Sequence, residues 1–215
     1  MMLQMEFMDF GDGAGLVPVQ RHVNGSGYVA LTAFVESSAV VEPDAVVFGR
    51  ARVTGIARIL GRARVGGDAV IEELATIADD AYVTGNARIF GSAQISGWAK
   101  VSDSAQIGGN ARIFDNAHIG GAATIMDNAW VFGSAKVQGA TVVTGTARVE
   151  GDAVIDGEAK VGGYVHVGGH AQIQGHAYVS GNCRLEGHVI VQDSAQVVGF
   201  VELSDGIVSG HESLD

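Results

Sequence analysis

Residues 49–72 read GRARVT, GIARIL, GRARVG, GDAVIE: four hexads, each with Gly first, Ala third and Val or Ile fifth. Working outward, the register holds from Leu31 to Ser204 as 29 hexads without insertion or deletion. The fifth place is Val, Ile or Leu in all 29, and the third is Ala in 24; the exceptions are Thr141, Val165, Cys183, Val189 and Val201. From Gly49 onward the first place is Gly in 20 of 26 hexads, and the other six carry Glu73, Asp79, Asp103, Asp115, Asp127 and Asp193. A period of six does not fit the 3.6-residue helix. Alternation of the third and fifth places marks a short strand with both side chains on one face. The first place breaks the strand, because Gly enters the left-handed region freely and Asp tolerates it better than most residues. Each hexad is one strand and one corner, three hexads close a triangular coil of 18 residues, and ten coils at about 4.8 Å make a rod of about 48 Å. The fold expected is all-β: a parallel β-helix solenoid of about ten coils.

Composition narrows the function classes. The chain has 215 residues, 47% of them apolar and 17% charged, enough to bury a core. Its formal charge of −11 argues against wholesale binding to a phosphate backbone, so no nucleic-acid partner is expected. Cys183 is the single cysteine, which excludes an internal disulfide framework and a multi-cysteine zinc site. No apolar run approaches 18 residues, so no membrane insertion is expected, and the start, MMLQMEFMDF, has no basic residue before Arg21 and makes a poor signal peptide. Residues 1–24 lie outside the repeat and read as a cap or attachment segment, with Gly11–Gly15 as a connector. Residues 25–204 are the solenoid, and residues 205–215 a closing strand and polar tail.

The repeat resembles that of the hexapeptide-repeat proteins, whose pattern of an aliphatic residue with a small residue four places later is met by Val47, Ala51 and Val53 and continues over most of the chain. The resemblance implies a left-handed parallel β-helix; the right-handed bactofilin-like β-helix is the alternative. The stretch HVNGSGYVALTAFV, His22 to Val35, resembles the opening of phage- and prophage-encoded hexapeptide proteins in His22, Asn24, Gly25, Gly27, Tyr28, Val29 and Ala30, and departs from it at Ser26, where a glycine is the rule.

Residues 18 apart stack, so outward places read as columns. Arg50 lies against Asp68, and Asp44, Arg62 and Asp80 share a column, an arrangement of register-fixing ion pairs. A second column runs Arg112, Trp130, Arg148, His166, Arg184, with Phe114 and Phe132 beside it. Guanidinium groups against an indole are favourable, and aromatics outside a narrow core invite a partner or a second subunit. These seven residues are the expected contact surface, toward a homotrimer, other virion proteins or a surface ligand. Many hexapeptide-repeat proteins are trimeric acyltransferases with a catalytic His on an extended loop and acyl-coenzyme A between subunits. Here no loop interrupts the hexads. His166, His170, His176 and His188 give at most two convergent ligands, short of the three-His zinc site of the carbonic anhydrases of this fold. The unbroken register therefore sets the expectation of a non-enzymatic structural or binding rod, and the resemblance of His22–Ala30 to phage-encoded proteins implies part of a phage tail fibre, spike or tip. It carries no catalytic residue, cofactor or metal, and resides in the virion or otherwise in the cytoplasm. The alternatives are an acyltransferase using acyl-coenzyme A and a bactofilin-like polymer.

Overall fold

The computed structural model describes residues 6–215. In each hexad the fourth and fifth places form a strand of two residues, and strands one coil apart pair in parallel: Arg52 with Val70 and Val53 with Ile71, then Val70 with Arg88 and Ile71 with Ile89. A two-residue strand has no stability alone; coil-to-coil pairing gives it a partner on both sides. The strands fall into three sheets of 13, 11 and 10, the three faces of the coil. The first face starts at Tyr28–Ala30, the second at Phe34–Val35 and the third at Val40–Val41. Third- and fifth-place side chains run up the interior fully buried, as at Ala51, Val53, Ala57 and Ile59. The ladder satisfies the backbone: the Arg52 N–H donates to Ala69 O at 2.8 Å and the Thr54 N–H to Ile71 O at 2.9 Å. Among the described residues no helix is long and apolar enough to cross a membrane.

The corners explain the first place of the hexad. Its glycines have positive φ, as at Gly49 (66°) and Gly145 (71°). The six hexads that carry an acid there are also left-handed, from 57° at Asp115 to 62° at Glu73. Each of these acids does something glycine cannot. Its carboxylate accepts the backbone N–H of the corner glycine one coil on: Glu73 from Gly91 at 2.8 Å, Asp79 from Gly97 at 3.0 Å, Asp103 from Gly121 at 2.8 Å and Asp127 from Gly145 at 3.0 Å. Asp115 and Asp193 do the same for Gly133 and Gly210. An acid at a corner offsets its left-handed strain by satisfying a donor that the strand ladder leaves free.

The exposed ion pairs form as the columns imply, Arg50 to Asp68 at 2.7 Å and Arg62 to Asp80 at 2.7 Å. The Arg50 guanidinium, hydrogen-bonded to Asp68 through Nε and Nη2, holds that carboxyl below the usual carboxylate range.

At the N-terminal end the structure differs from the expected connector. Strands β1 (Glu6–Asp9) and β2 (Leu16–Arg21) form an antiparallel hairpin whose turn is Phe10–Gly15, and β2 pairs antiparallel with Tyr28–Ala30. The hairpin thus extends the first face beyond the first coil and covers its strand edge. It also buries an outer aromatic that the repeat alone would expose: Phe10 stacks on Phe48 at 4.7 Å, and both are buried. Gly66 makes room, since a Cβ there would stand 2.3 Å from the Phe48 ring. The part of the expected cap at residues 1–5 lies outside the described residues. His22–Gly27 closes the third face in the same way. Gly27 N–H donates to Val41 O at 2.8 Å, Val41 N–H to Asn24 O at 3.0 Å, and the buried His22 ring lies 3.0 Å from Ala39 O. Ser26, which stands in place of the usual glycine, has φ 67°. At the other end, pairing continues one residue out of register, Ile190 with Ile207, and ends at Ser213–Leu214.

Candidate functional site

The column expected on the outside is built by the third face. Arg112, Trp130, Arg148, His166 and Arg184 pair in that order on successive coils, each in the fourth place with its side chain outward. Its lower half is a packed ladder. Trp130 lies between two guanidinium carbons, Arg112 at 5.3 Å and Arg148 at 5.0 Å from the ring centroid. Phe114 stacks on Phe132 at 4.8 Å and meets Trp130 edge-on at 6.2 Å. These three rings are half-buried, against the exposure expected of them, because they cover one another.

Above Trp130 the ladder opens. A groove of about 520 Å³ is walled by Trp130, Thr146, Arg148, Tyr164 and His166. A second, of about 390 Å³, is walled by Tyr164, His166, Arg184 and Phe200. Tyr164 stands between them, 73% exposed, and His166 borders both.

His166 is the most constrained titratable group on this face. Its Nε2 lies 2.6 Å from Glu150 Oε1, and its Nδ1 3.7 Å from Glu186 Oε1. A carboxylate only accepts, so Nε2 carries the proton and Nδ1 keeps its lone pair in the neutral ring. Glu186 is itself held by Arg184 Nη2 at 2.8 Å. The sixth places beside the column read Glu150, Gly168, Glu186 on successive coils. A Cβ at Gly168 would lie in ordinary contact with His166 Nε2 and Glu150 Cγ, both at 3.6 Å, so the position lies against the imidazole and its carboxylate without glycine being required there. The sequence analysis placed His166 but missed Glu150 and Glu186. The signal was available in the pattern of two acids flanking a glycine, one column from a histidine.

Glu150, His166 and Glu186 bring one ligand atom each within 4.8 Å of one another. The two ring nitrogens face different carboxylates, an arrangement that orients a base better than it aims one lone pair at a shared ion. The other histidines do not join them. His170 stacks on His188 at 5.0 Å, with His170 Nδ1 3.5 Å from Asp152, while His176 faces Glu158 at 3.3 Å on another corner. Cys183 lies in the third-place column, buried, and burial pushes its thiol above the ordinary range.

The family model for the YdcK β-solenoid repeat matches residues 105–121, about one coil. No curated protein matches the chain. Among solved structures, a UDP-N-acetylglucosamine acyltransferase from Bacteroides fragilis shares the fold at TM-score 0.53 and 19% identity, over 72% of this chain and 68% of that one. The UDP-N-acetylglucosamine acyltransferase of Arabidopsis matches at TM-score 0.40 and 17% identity, over 77% and 65%. That of Moraxella catarrhalis matches at TM-score 0.41 and 15% identity, over 82% and 68%.

The expectation of a non-enzymatic virion rod is corrected by these findings. One solved structure that shares the fold is an acyltransferase, so the coil by itself is no sign of an inert rod. The absence of a loop does not exclude a side chain from a groove, since a plain strand position presents His166 to two grooves. The phage link drawn from His22–Ala30 finds no support either, and the contacts of that stretch are those of a seal on the first coil. By repeat and by fold, the chain is a hexapeptide-repeat left-handed parallel β-helix.

Proposed function

We propose that this protein is an acyltransferase, moving an acyl group from a thioester such as acyl-coenzyme A to a hydroxyl or amine, with His166 as the general base. The observation that carries the reading is the imidazole fixed between Glu150 and Glu186 at the junction of two grooves. In acyl transfer the attacking hydroxyl or amine must lose a proton as it adds to the thioester carbonyl. Nδ1 of His166, the nitrogen not engaged by Glu150, accepts that proton; as the tetrahedral adduct collapses the C–S bond breaks, and the imidazolium returns the proton to the departing thiolate, releasing the thiol. Glu150 fixes the tautomer and the ring plane, and Glu186 stabilises the imidazolium that results. Arg148, exposed on the groove wall, offers a cation for an anionic part of either substrate. The sharing of this coil with an acyltransferase supports the reading from the side of the fold.

The same face serves as the contact between copies in this reading, with a homotrimer as the assembly. Tyr164 and Phe200, 73% and 87% exposed, are covered by a neighbour, which narrows the open grooves. The deciding experiment follows thiol release from acetyl- and longer acyl-coenzyme A with amino- and hydroxy-sugar acceptors. Release by the wild type that falls about 100-fold or more in His166→Ala, with the coil intact by circular dichroism, is the result expected of a general base. Release that is equal in the two proteins removes His166 from the chemistry.

A further inference from the structure

The first face carries a feature that acyl transfer on the third face does not use. Its outward column reads Tyr82, Lys100, His118, Lys136 on four successive coils. In a chain of charge −11, three groups able to carry positive charge follow one another here with no acid between them in the column, as Arg148, His166 and Arg184 do on the third face. Among the described residues neither lysine enters an ion pair, whereas Arg50, Arg62, Arg88 and Arg184 each have a carboxylate. Lys100, His118 and Lys136 are all exposed.

The column borders a groove of about 430 Å³. The groove exists because the sixth-place residues beside it are small: Thr84, Ser102 and Gly120, before Gln138 closes the row. The His118 Nδ1 lies 2.9 Å from Asn116 O and donates to it, so Nε2 is left for a ligand. One acid, Asp103, also lines the groove, and its Oδ2 is already taken by the Gly121 N–H at 2.8 Å and the Ser102 hydroxyl at 3.2 Å.

We infer that this groove binds an acidic oligosaccharide, a short chain of sugars bearing carboxylates. Coil spacing sets the cations about 4.8 Å apart along the rod. A chain of pyranose rings advances by about the same distance per sugar. Neutral hydrogen-bonding groups, Thr84, Ser102 and Gln138, run parallel to the cations, which suits a ligand with hydroxyls between its charges. The Tyr82 ring ends the groove with a face on which a sugar ring stacks. The groove lining has no arginine, so it lacks the forked donors that grip a phosphate bidentately, and its cations are the point charges of lysines. The inference is independent of the acyltransferase reading, because the two sites lie on different faces.

The test is titration calorimetry at low salt with three probes: an oligogalacturonate of three to four sugars, an uncharged gluco-oligosaccharide of equal length and inorganic tripolyphosphate. The oligogalacturonate binds the wild type and the uncharged chain does not. Lys100→Gln and Lys136→Gln each weaken binding about threefold to fivefold, and the double variant weakens it about tenfold or more. Lys160→Gln, which removes an equal charge from the second face, and His166→Ala leave binding unchanged. Circular dichroism of each variant matches the wild type, since the side chains are outward. Binding that is insensitive to Lys100 and Lys136, or that falls as much in Lys160→Gln, overturns the site. Tripolyphosphate binding more tightly than the oligogalacturonate overturns the ligand class.

Discussion

If corner acids persist because they satisfy the next corner, replacing one should separate backbone strain from the hydrogen bond. Asp127 is a clean case: it is exposed, has φ 61°, and accepts the Gly145 N–H at 3.0 Å. Asp127→Ala keeps the Cβ but loses the acceptor, and it places a residue with no local hydrogen bonding in the left-handed region. The acceptor contributes about 0.5–1.5 kcal/mol net at an exposed position. Exchanging a tolerant residue for an intolerant one adds part of the left-handed penalty of about 1–2 kcal/mol. The sum is a loss of about 1–2 kcal/mol, or a fall in melting temperature of about 2–8 °C for a chain of this size. Asp127→Gly loses the same bond but relieves the strain, against a greater loss of chain entropy, and is destabilised by about 1 kcal/mol or less. Asp127→Asn keeps both an oxygen acceptor and left-handed tolerance and stays within about 0.5 kcal/mol of wild type. The expected order of stability is Asp, Asn, Gly, Ala, read by urea unfolding followed at 218 nm, a wavelength of about the usual β-sheet signal. An alanine variant as stable as wild type, or a glycine variant below alanine, would refute the account of the corners.

Three further outcomes follow from individual contacts. Thr141 is fully buried in the third-place column and its Oγ1 has no hydrogen-bond partner, so Thr141→Val should raise stability by about 1 kcal/mol in the same unfolding assay. Gly66→Ala sets a Cβ 2.3 Å from the Phe48 ring and should cost about 1–3 kcal/mol and loosen the hairpin, seen as faster proteolytic cleavage within residues 10–15. Cys183 is buried and its thiol is pushed upward by burial, so at neutral pH it stays protonated and a thiol reagent should label it only on unfolding. Rapid stoichiometric labelling of the folded protein would contradict its place inside the coil.

The coil was legible because every hexad repeats the same local instruction. A residue such as Val53 is placed by its register with Val35 and Ile71, and that register follows from counting by 18. The six acid corners were legible as corners, since Asp79 or Asp193 falls where glycine is otherwise required. What counting did not supply was the partner of each acid, because a donor becomes free only once the strand ladder is drawn. The hairpin escaped for a related reason. Its strands lie outside the hexads, and what fixes it is the pairing of Leu16–Arg21 with Tyr28–Ala30 and the stack of Phe10 on Phe48, contacts that no period announces.

The site shows the same limit more sharply. The column from Arg112 to Arg184 could be listed in advance, because its members share one place in the hexad. His166 acquires its chemistry from a different place, the sixth, at a separation of 16 residues to Glu150 and 20 to Glu186. Those diagonals cross the column, and a search along columns alone passes over them. The solenoid brings two neighbouring columns together at every coil, so functional groupings on its surface form between columns. Glu150 and Glu186 share one column and His166 lies in the next, between them. The groove on the first face is built by the same rule, with lysines in the fourth place and small residues in the sixth. A chain can therefore keep an unbroken hexad register, with no loop interrupting it, and still gather an imidazole, two carboxylates and two grooves on one face.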